Sequence, residues 1–183
     1  MTNVTKKFIP EDIDRRIVPL WYAIYVRSRY EKKVAEQLKE RRIEHFLPSI
    51  PRLRQWKDRK KIVQMPLFPG YVFVHIKLAD KLQVLNVSGV VWLVGFNNQP
   101  SPIPESQIDD IRRLLCHPKL IEPSSCISNG RWVEIIYGPF AGIRGKLIQH
   151  RGRQRLLVGI DLIQQAISVE VDMSWVKPIE TSK

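Results

Sequence analysis

One run limits the fold more than any other part of the chain. Gly138-Pro139-Phe140-Ala141-Gly142-Ile143-Arg144-Gly145-Lys146 sets three glycines, a proline and an aromatic between two apolar stretches. Glycine reaches backbone angles closed to residues with a Cβ, and Pro139 presets its own φ, so the chain reverses tightly between strands here. Val133, Ile135 and Tyr137 alternate before the turn, and Ile143, Leu147, Leu156, Val158, Ile160, Val169 and Val171 follow it. Short β-branched runs at even spacing predict a small barrel between Arg131 and Pro178.

Upstream, Trp21-Tyr22-Ala23-Ile24-Tyr25-Val26 is β-rich, a charged helix follows from Glu31, and Leu67-Phe68-Pro69-Gly70-Tyr71-Val72-Phe73-Val74 returns to strong β character. The glycine-proline turn resembles a KOW motif, and the upstream order resembles the amino-terminal (NGN) domain of the NusG/RfaH family of transcription factors. The resemblance spans Trp21 to Ile179. It implies an α+β protein: an NGN-like α/β sandwich, with an antiparallel sheet flanked by helices, followed by a small SH3-like KOW barrel. The expected boundaries are a tail at 1–18, the NGN-like domain at 19–118, a linker at 119–127 and the barrel at 128–183.

Periodicity fills in this outline. A helix is expected from about Tyr30 to Ile43, with Val34, Ala35 and Leu38 on one side and Lys33, Glu36, Gln37 and Glu40 on the other. His45-Phe46-Leu47-Pro48 reads as a short strand, and Pro51 to Lys61 as a basic hairpin arm. In Pro66 to Ile76, Tyr71 and Phe73 share one strand face and Val72 and Val74 the other. Gly89 to Phe96 reads as a buried strand bounded by glycines. Pro104 suits a first helical position, with Ile108, Ile111, Leu114 and Leu115 spaced to bury one face. Glu122-Pro123-Ser124-Ser125-Cys126 has a linker's composition.

Charge narrows the partner. A formal net charge of +12 with a pI near 10.0 predicts attraction to a polyanion, most commonly nucleic acid. No apolar run approaches the roughly 20 residues that span a bilayer, and Met1 to Arg16 lacks the apolar core of a secretory signal, so no membrane association and a cytoplasmic location are expected. Cys116 and Cys126 form neither a CxxC pair nor a disulfide framework. His45, His75, His117 and His150 have no metal-ligand company, and no phosphate loop, nucleophile elbow or catalytic carboxylate pair is present. The expectation is a non-enzyme with no catalytic residues, no cofactor and no metal.

Among the rings, Tyr25, Tyr71, Phe73 and Phe96 match the family's hydrophobic cavity, which docks on the β′ clamp helices of RNA polymerase. Taken without the resemblance, strand aromatics of this kind fill a core. With it, a partly exposed pocket is expected. Arg27, Arg29, Lys33 and Arg41 lie at or near positions that the family uses against the non-template DNA strand. In the arm, Arg52, Arg54, Lys57, Arg59, Lys60 and Lys61 surround Trp56, and rings interleaved with cations suit single-stranded nucleic acid, although a solvated charged face has the same composition.

The KOW turn itself is Gly138, Pro139, Phe140, Gly142 and Gly145. Beyond it, His150-Arg151-Gly152-Arg153-Gln154-Arg155 reads either as an RNA contact or as a solvated turn. The family uses its barrel to bind a ribosomal protein or a termination factor around the position of Ile163. Here Leu162-Ile163-Gln164-Gln165-Ala166-Ile167 replaces the usual Phe-Gly-Arg pattern. Pro66-Leu67-Phe68-Pro69-Gly70-Tyr71 is closer to the specialised paralogues, RfaH and the UpxY group, than to housekeeping NusG. The reading is therefore a monomeric elongation and antitermination factor of the specialised type, with a barrel that stays β. Its alternatives are a housekeeping NusG or a KOW-type ribosome-associated RNA-binding protein.

Overall fold

A computed structural model of the chain describes residues 14–55, 59–97, 99–124, 130–150 and 153–179. They fall into two compact units, 14–105 and 106–179.

The first unit contains β1 (Leu20–Val26), α1 (Glu31–Glu40), β2 (His45–Phe46), β3 (Ser49–Gln55), β4 (Lys60–Pro66), β5 (Tyr71–Ile76), α2 (Lys81–Leu85), β6 (Val90–Leu93), β7 (Gly95–Phe96) and β8 (Gln99–Pro100). Its main sheet is antiparallel in the order β2-β5-β1-β6. Strand alternation gives this sheet two different faces. On one, Tyr22, Ile24, Val26, Val72, Val74 and Ile76 pack with Val34 and Leu38 of α1 and Val84 of α2. The expected helical stripe is therefore the one that packs, and the helix stops at Glu40, short of Ile43.

On the second face lie Trp21, Ala23, Tyr25, Tyr71, Phe73 and His75. Trp21 stacks on His75 at 5.0 Å, and the Ile103 N–H donates to the Trp21 carbonyl. The expected basic arm is the two-stranded ribbon β3–β4, in which Arg54 lies opposite Lys61 and Leu53 opposite Ile62. Trp56 and Lys57 lie outside the described residues.

The second unit opens with α3 (Glu105–Leu115), which straddles the division, and continues through β9 (Ile121–Ser124), β10 (Arg131–Ile135), β11 (Arg144–His150), β12 (Arg153–Ile160), β13 (Gln165–Glu170) and β14 (Val176–Pro178). These strands form one antiparallel sheet in the order β14-β10-β11-β12-β13-β9. Val133, Ile135, Ile143, Leu156, Val158, Ile160, Ile167 and Val169 are buried in it. Its polar ties are the Arg153–Glu170 and Arg155–Glu122 ion pairs, and Arg155 also donates to Ser168.

Two expectations change here. The segment assigned to a linker contains β9, whose residues Ile121 to Ser124 pair with Val169 to Ala166, because Ile121 has a buried site to fill and the open edge of β13 has unpaired backbone groups. The helix after Pro104 groups from Ser106 onward with the strands that follow it. Arg113 donates to the Ala141 carbonyl, and the His117 ring meets Phe140 edge-on at 5.4 Å.

The turn that most restricts the sequence closes through backbone bonds from Gly142 N–H to the Ile135 carbonyl and from Ile135 N–H to the Ile143 carbonyl. Gly138 sits at φ +84°, and a Cβ there would lie 3.0 Å from the Trp175 ring. Pro139 is exposed, Phe140 is buried, Gly142 has φ +88°, and Gly145 pairs with Val133.

Asp110 makes the stability of this unit depend on pH. Burial pushes its carboxyl up to about 6, against the pull of Arg113 and Arg144 and with a push from Asp109. The native state thus holds a proton more tightly than the unfolded chain. Its contribution is fully present below the ordinary carboxylate value and is lost as pH rises to about 6. Asp110→Asn is expected to flatten the fall in Tm across that window and to raise Tm at neutral pH. Thermal unfolding followed by circular dichroism at acid and neutral pH checks both.

Candidate functional site

The candidate site lies where the second face of the β2-β5-β1-β6 sheet runs out of cover. Tyr25 of β1 is the register partner of Tyr71 on one side and Trp92 on the other. Side chains opposite one another on neighbouring strands project from the same face, so the three rings are brought together by pairing alone. Tyr25 and Trp92 stack with centroids 4.5 Å apart and planes at 20°, and Tyr25 meets Tyr71 edge-on at 5.5 Å. Tyr25 and Tyr71 are half-buried, and Trp92 is 50% exposed. Burial raises the Tyr71 hydroxyl above the ordinary tyrosine value, and Tyr25 adds to the rise.

Local chemistry in the Phe68-Pro69-Gly70-Tyr71 turn holds this cluster in place. Gly70 adopts φ +84°, and a Cβ on it would lie 3.2 Å from the Tyr25 ring, so glycine both makes the turn and leaves room for the stack. Its N–H donates to Glu31 Oε1 at 2.8 Å, and its carbonyl accepts from the Val26 N–H at 2.8 Å. Glu31 is itself buried in the first turn of α1, where a carboxylate also suits the positive end of the helix. One carboxylate thereby ties helix, turn and strand end together around the rings.

The expected aromatic set is only partly assembled. Phe73 is fully buried: it points to the same face as Tyr71 but lies under Phe68, edge-on at 5.6 Å, and beside Phe46 at 6.3 Å. It belongs to the core, because the Leu67-Phe68 turn closes over the middle of the sheet and leaves only its end open. Phe96 is 68% exposed on the β7–β8 ribbon and forms no ring pair with the cluster among the described residues. Trp92 replaces them. The expectation of a buried strand at 89–96 hid it, whereas β6 is an edge strand with Val91 and Trp92 exposed.

The cations divide in the same way. Arg27, Arg29 and Lys33 are exposed just beyond the Tyr25 end of β1, with Arg29 at φ +65° and the Lys33 amine 5.4 Å from the centre of the Tyr30 ring. Arg54, Arg59 and Lys60 are exposed on or beside the β3–β4 ribbon. Arg41 is spent elsewhere: its guanidinium donates to the Gln83 and Asn86 carbonyls at the end of α2, the groups a helix leaves unpaired. In the barrel, Arg153 and Arg155 are paired with carboxylates, and Ile163 is buried, so it offers little of the apolar edge expected around it. Among the described residues no three His, Cys, Asp or Glu side chains converge as a metal cage.

Residues 19–112 match the family described as transcription termination factor NusG. The chain belongs to the NusG family. It is 29% identical over 177 residues to the transcription termination/antitermination protein NusG of Lactococcus lactis, covering 87% of this chain and 93% of that protein. Identity to the Thermus thermophilus protein of the same name is 26% over 181 residues, covering 85% of this chain and 96% of the other. A solved structure of Thermotoga maritima NusG is similar at 27% identity with a TM-score of 0.50, covering 88% of this chain and 98% of that one. The chain is thus a NusG-type transcription factor with an α/β first unit and a β-rich second unit. No helix among its described residues is long and apolar enough to cross a membrane.

The Glu31–Gly70 tie predicts how the site fails. Glu31→Ala leaves the Gly70 N–H without its acceptor in a half-buried turn, an expected cost of about 1–3 kcal/mol. Gly70→Ala adds strain at positive φ and crowds Tyr25, with a cost of similar size, roughly 1–3 kcal/mol. Urea unfolding measures both, and Glu31→Gln, which keeps an acceptor, is expected to recover most of the loss.

Proposed function

We propose that this protein is a transcription elongation and antitermination factor that docks on the β′ clamp helices of RNA polymerase through the Tyr25–Tyr71–Trp92 cluster. The observation that carries the reading is a stacked ring cluster that is half-buried at Tyr25 and Tyr71 and opens to solvent at Trp92, an aromatic surface suited to a partner. A stacked tyrosine and tryptophan beside an edge-on tyrosine suit the apolar flank of a helical tip, and the polar ring edges tolerate water at the rim. Phe96 extends the contact as a separate exposed ring.

Arg27, Arg29 and Lys33 then face the non-template strand, and the β3–β4 ribbon offers Arg54, Arg59 and Lys60 to the same exposed DNA, a contact to which the sequence adds Trp56 and Lys57. The mechanism is tethering. The factor binds the closed clamp better than the open one, and a coupling of about 1–3 kcal/mol shifts a pausing equilibrium roughly 5- to 150-fold without any covalent step. Acting on bacterial-type polymerase implies a cytoplasmic factor.

Within the family we assign it to the specialised paralogues of the RfaH and UpxY type. Support comes from the Pro-Leu-Phe-Pro-Gly-Tyr segment and from Leu162-Ile163-Gln164-Gln165 in place of the housekeeping Phe-Gly-Arg pattern. With Ile163 buried, recruitment of a ribosomal protein or termination factor through that part of the barrel is weaker than in housekeeping members.

Two measurements test the reading. Trp92→Asp puts a charge on the edge-strand side of the cluster at a half-exposed position, so it is expected to abolish co-purification with RNA polymerase while circular dichroism stays unchanged. Phe73→Asp, in contrast, is expected to unfold the first unit. Retained polymerase binding by a folded Trp92→Asp variant counts against the docking surface. For DNA, about five neutralised phosphates give a logarithmic salt slope of roughly −3.5 on a single strand. Arg27→Ala and Arg29→Ala together are expected to reduce its magnitude by about 1.4.

A further inference from the structure

Strand β6 breaks the alternation that its neighbour β1 keeps. Val90 pairs with Val26, yet Trp92 pairs with Tyr25 and Leu93 with Ile24, so Val91 is an extra residue on the β6 side, a β-bulge. Val90 and Leu93 both pack against the core of the first unit, although their spacing would put them on opposite faces of a regular strand. The bulge therefore turns Val91 together with Trp92 to the other face, the face of Tyr25, and Val91 is 45% exposed there.

Both ends of the bulge are pinned. Before it, Gln37 of α1 donates to the Ser88 carbonyl at 3.1 Å, and Arg41 donates to the Gln83 and Asn86 carbonyls at 3.0 and 3.1 Å. The Arg27 N–H donates to the Gly89 carbonyl at 2.9 Å. Gly89 adopts φ +103°, and a Cβ on it would lie 2.6 Å from the Tyr30 ring that closes over it. These contacts fix where Val90 enters the sheet. After the bulge, the Val94 N–H donates to the Ala23 carbonyl at 2.9 Å and fixes Leu93. With the two ends held in registers offset by a residue, Val91 has to stay out.

We infer that Val91 is a further contact residue of the surface that docks RNA polymerase, and that Gln37 and Arg41 are positioning residues that hold it there. The inference rests on the docking reading of the Tyr25–Tyr71–Trp92 cluster and extends that surface along the sheet edge. The occupant is the apolar flank of a helix, for two reasons. No charged residue lies between Lys81 and Glu105, so this edge offers nothing to phosphates, although the chain as a whole carries a net charge of +12. Natural sheet edges are also shielded from stray pairing by charge or proline, whereas this edge carries valine and tryptophan. An aliphatic side chain beside a stacked ring supplies the apolar centre of a protein contact.

The test uses the full chain and purified RNA polymerase, with affinity read by biolayer interferometry. Val91→Ala, at an exposed position, is expected to weaken binding roughly 3- to 15-fold with circular dichroism unchanged. Gln37→Ala with Arg41→Ala is expected to weaken binding by a similar factor in the wild-type background. In the Val91→Ala background the same pair is expected to add less than about twofold, because the contact it positions is already gone. Either single variant carries this comparison if the pair together unfolds. Equal losses in the two backgrounds mean that the brace serves stability alone, and they overturn the positioning role. Wild-type affinity in Val91→Ala, with Trp92→Asp still abolishing binding, overturns the inference and leaves the docking reading standing. Binding retained by folded Trp92→Asp overturns both.

Discussion

The hydrogen bond from the Gly70 N–H to the Glu31 carboxylate is the contact on which the first unit's surface depends. It joins the start of α1, a positive-φ turn and the end of β1 at one point, because the same glycine also accepts from Val26 through its carbonyl. A buried carboxylate is tolerated here because it meets a backbone donor at a helix start, so its charge is answered on two sides. With the turn held, the chain enters β5 in the register that puts Tyr71 beside Tyr25. Those rings need no further bond to stay together. Their arrangement follows from backbone pairing, and backbone pairing at that end follows from the turn.

The two sheets use their aromatic residues differently. In the first unit the rings gather into a patch without charge among them, and the cations stand along the flank, on Arg27, Arg29 and Lys33. In the second unit rings and charges are neighbours, with Trp132 opposite Lys146 and Glu134 between Lys177 and Arg144. Arg41, Arg153 and Arg155 show that the net charge overstates the binding surface. Each is engaged by helix-end carbonyls or by carboxylates, and they hold the fold together.

Much of this was legible in the residues. The glycine-proline turn, the packed stripe of α1 and the alternation in β5 arise from local rules of period and turn chemistry and are found where those predict them, whereas the hairpin arm expected over Pro51 to Lys61 runs on to Pro66. Errors arose where a long-range contact decides exposure. Phe73 and Tyr71 are two residues apart on one face and equally aromatic, yet one lies under Phe68 and the other does not. Trp92 was hidden for the converse reason: a run of apolar residues between glycines has the same composition whether its strand is central or at an edge. Ile121 to Ser124 looked like a connector because proline and serine say nothing about the unpaired strand edge waiting beside them.

By itself, the sequence determined most of the strands and helices, the sharp turn at Gly138–Gly145, the alternation of faces along β5, and that the whole is strongly basic. These properties follow from backbone sterics and side-chain chemistry within a few residues. Only the tertiary structure decided which aromatic rings remain open, which arginines are engaged by backbone or carboxylates, and which strands end a sheet. Those depend on residues far apart in the chain competing for the same buried space, and burial is a property of the assembled unit that no local pattern carries.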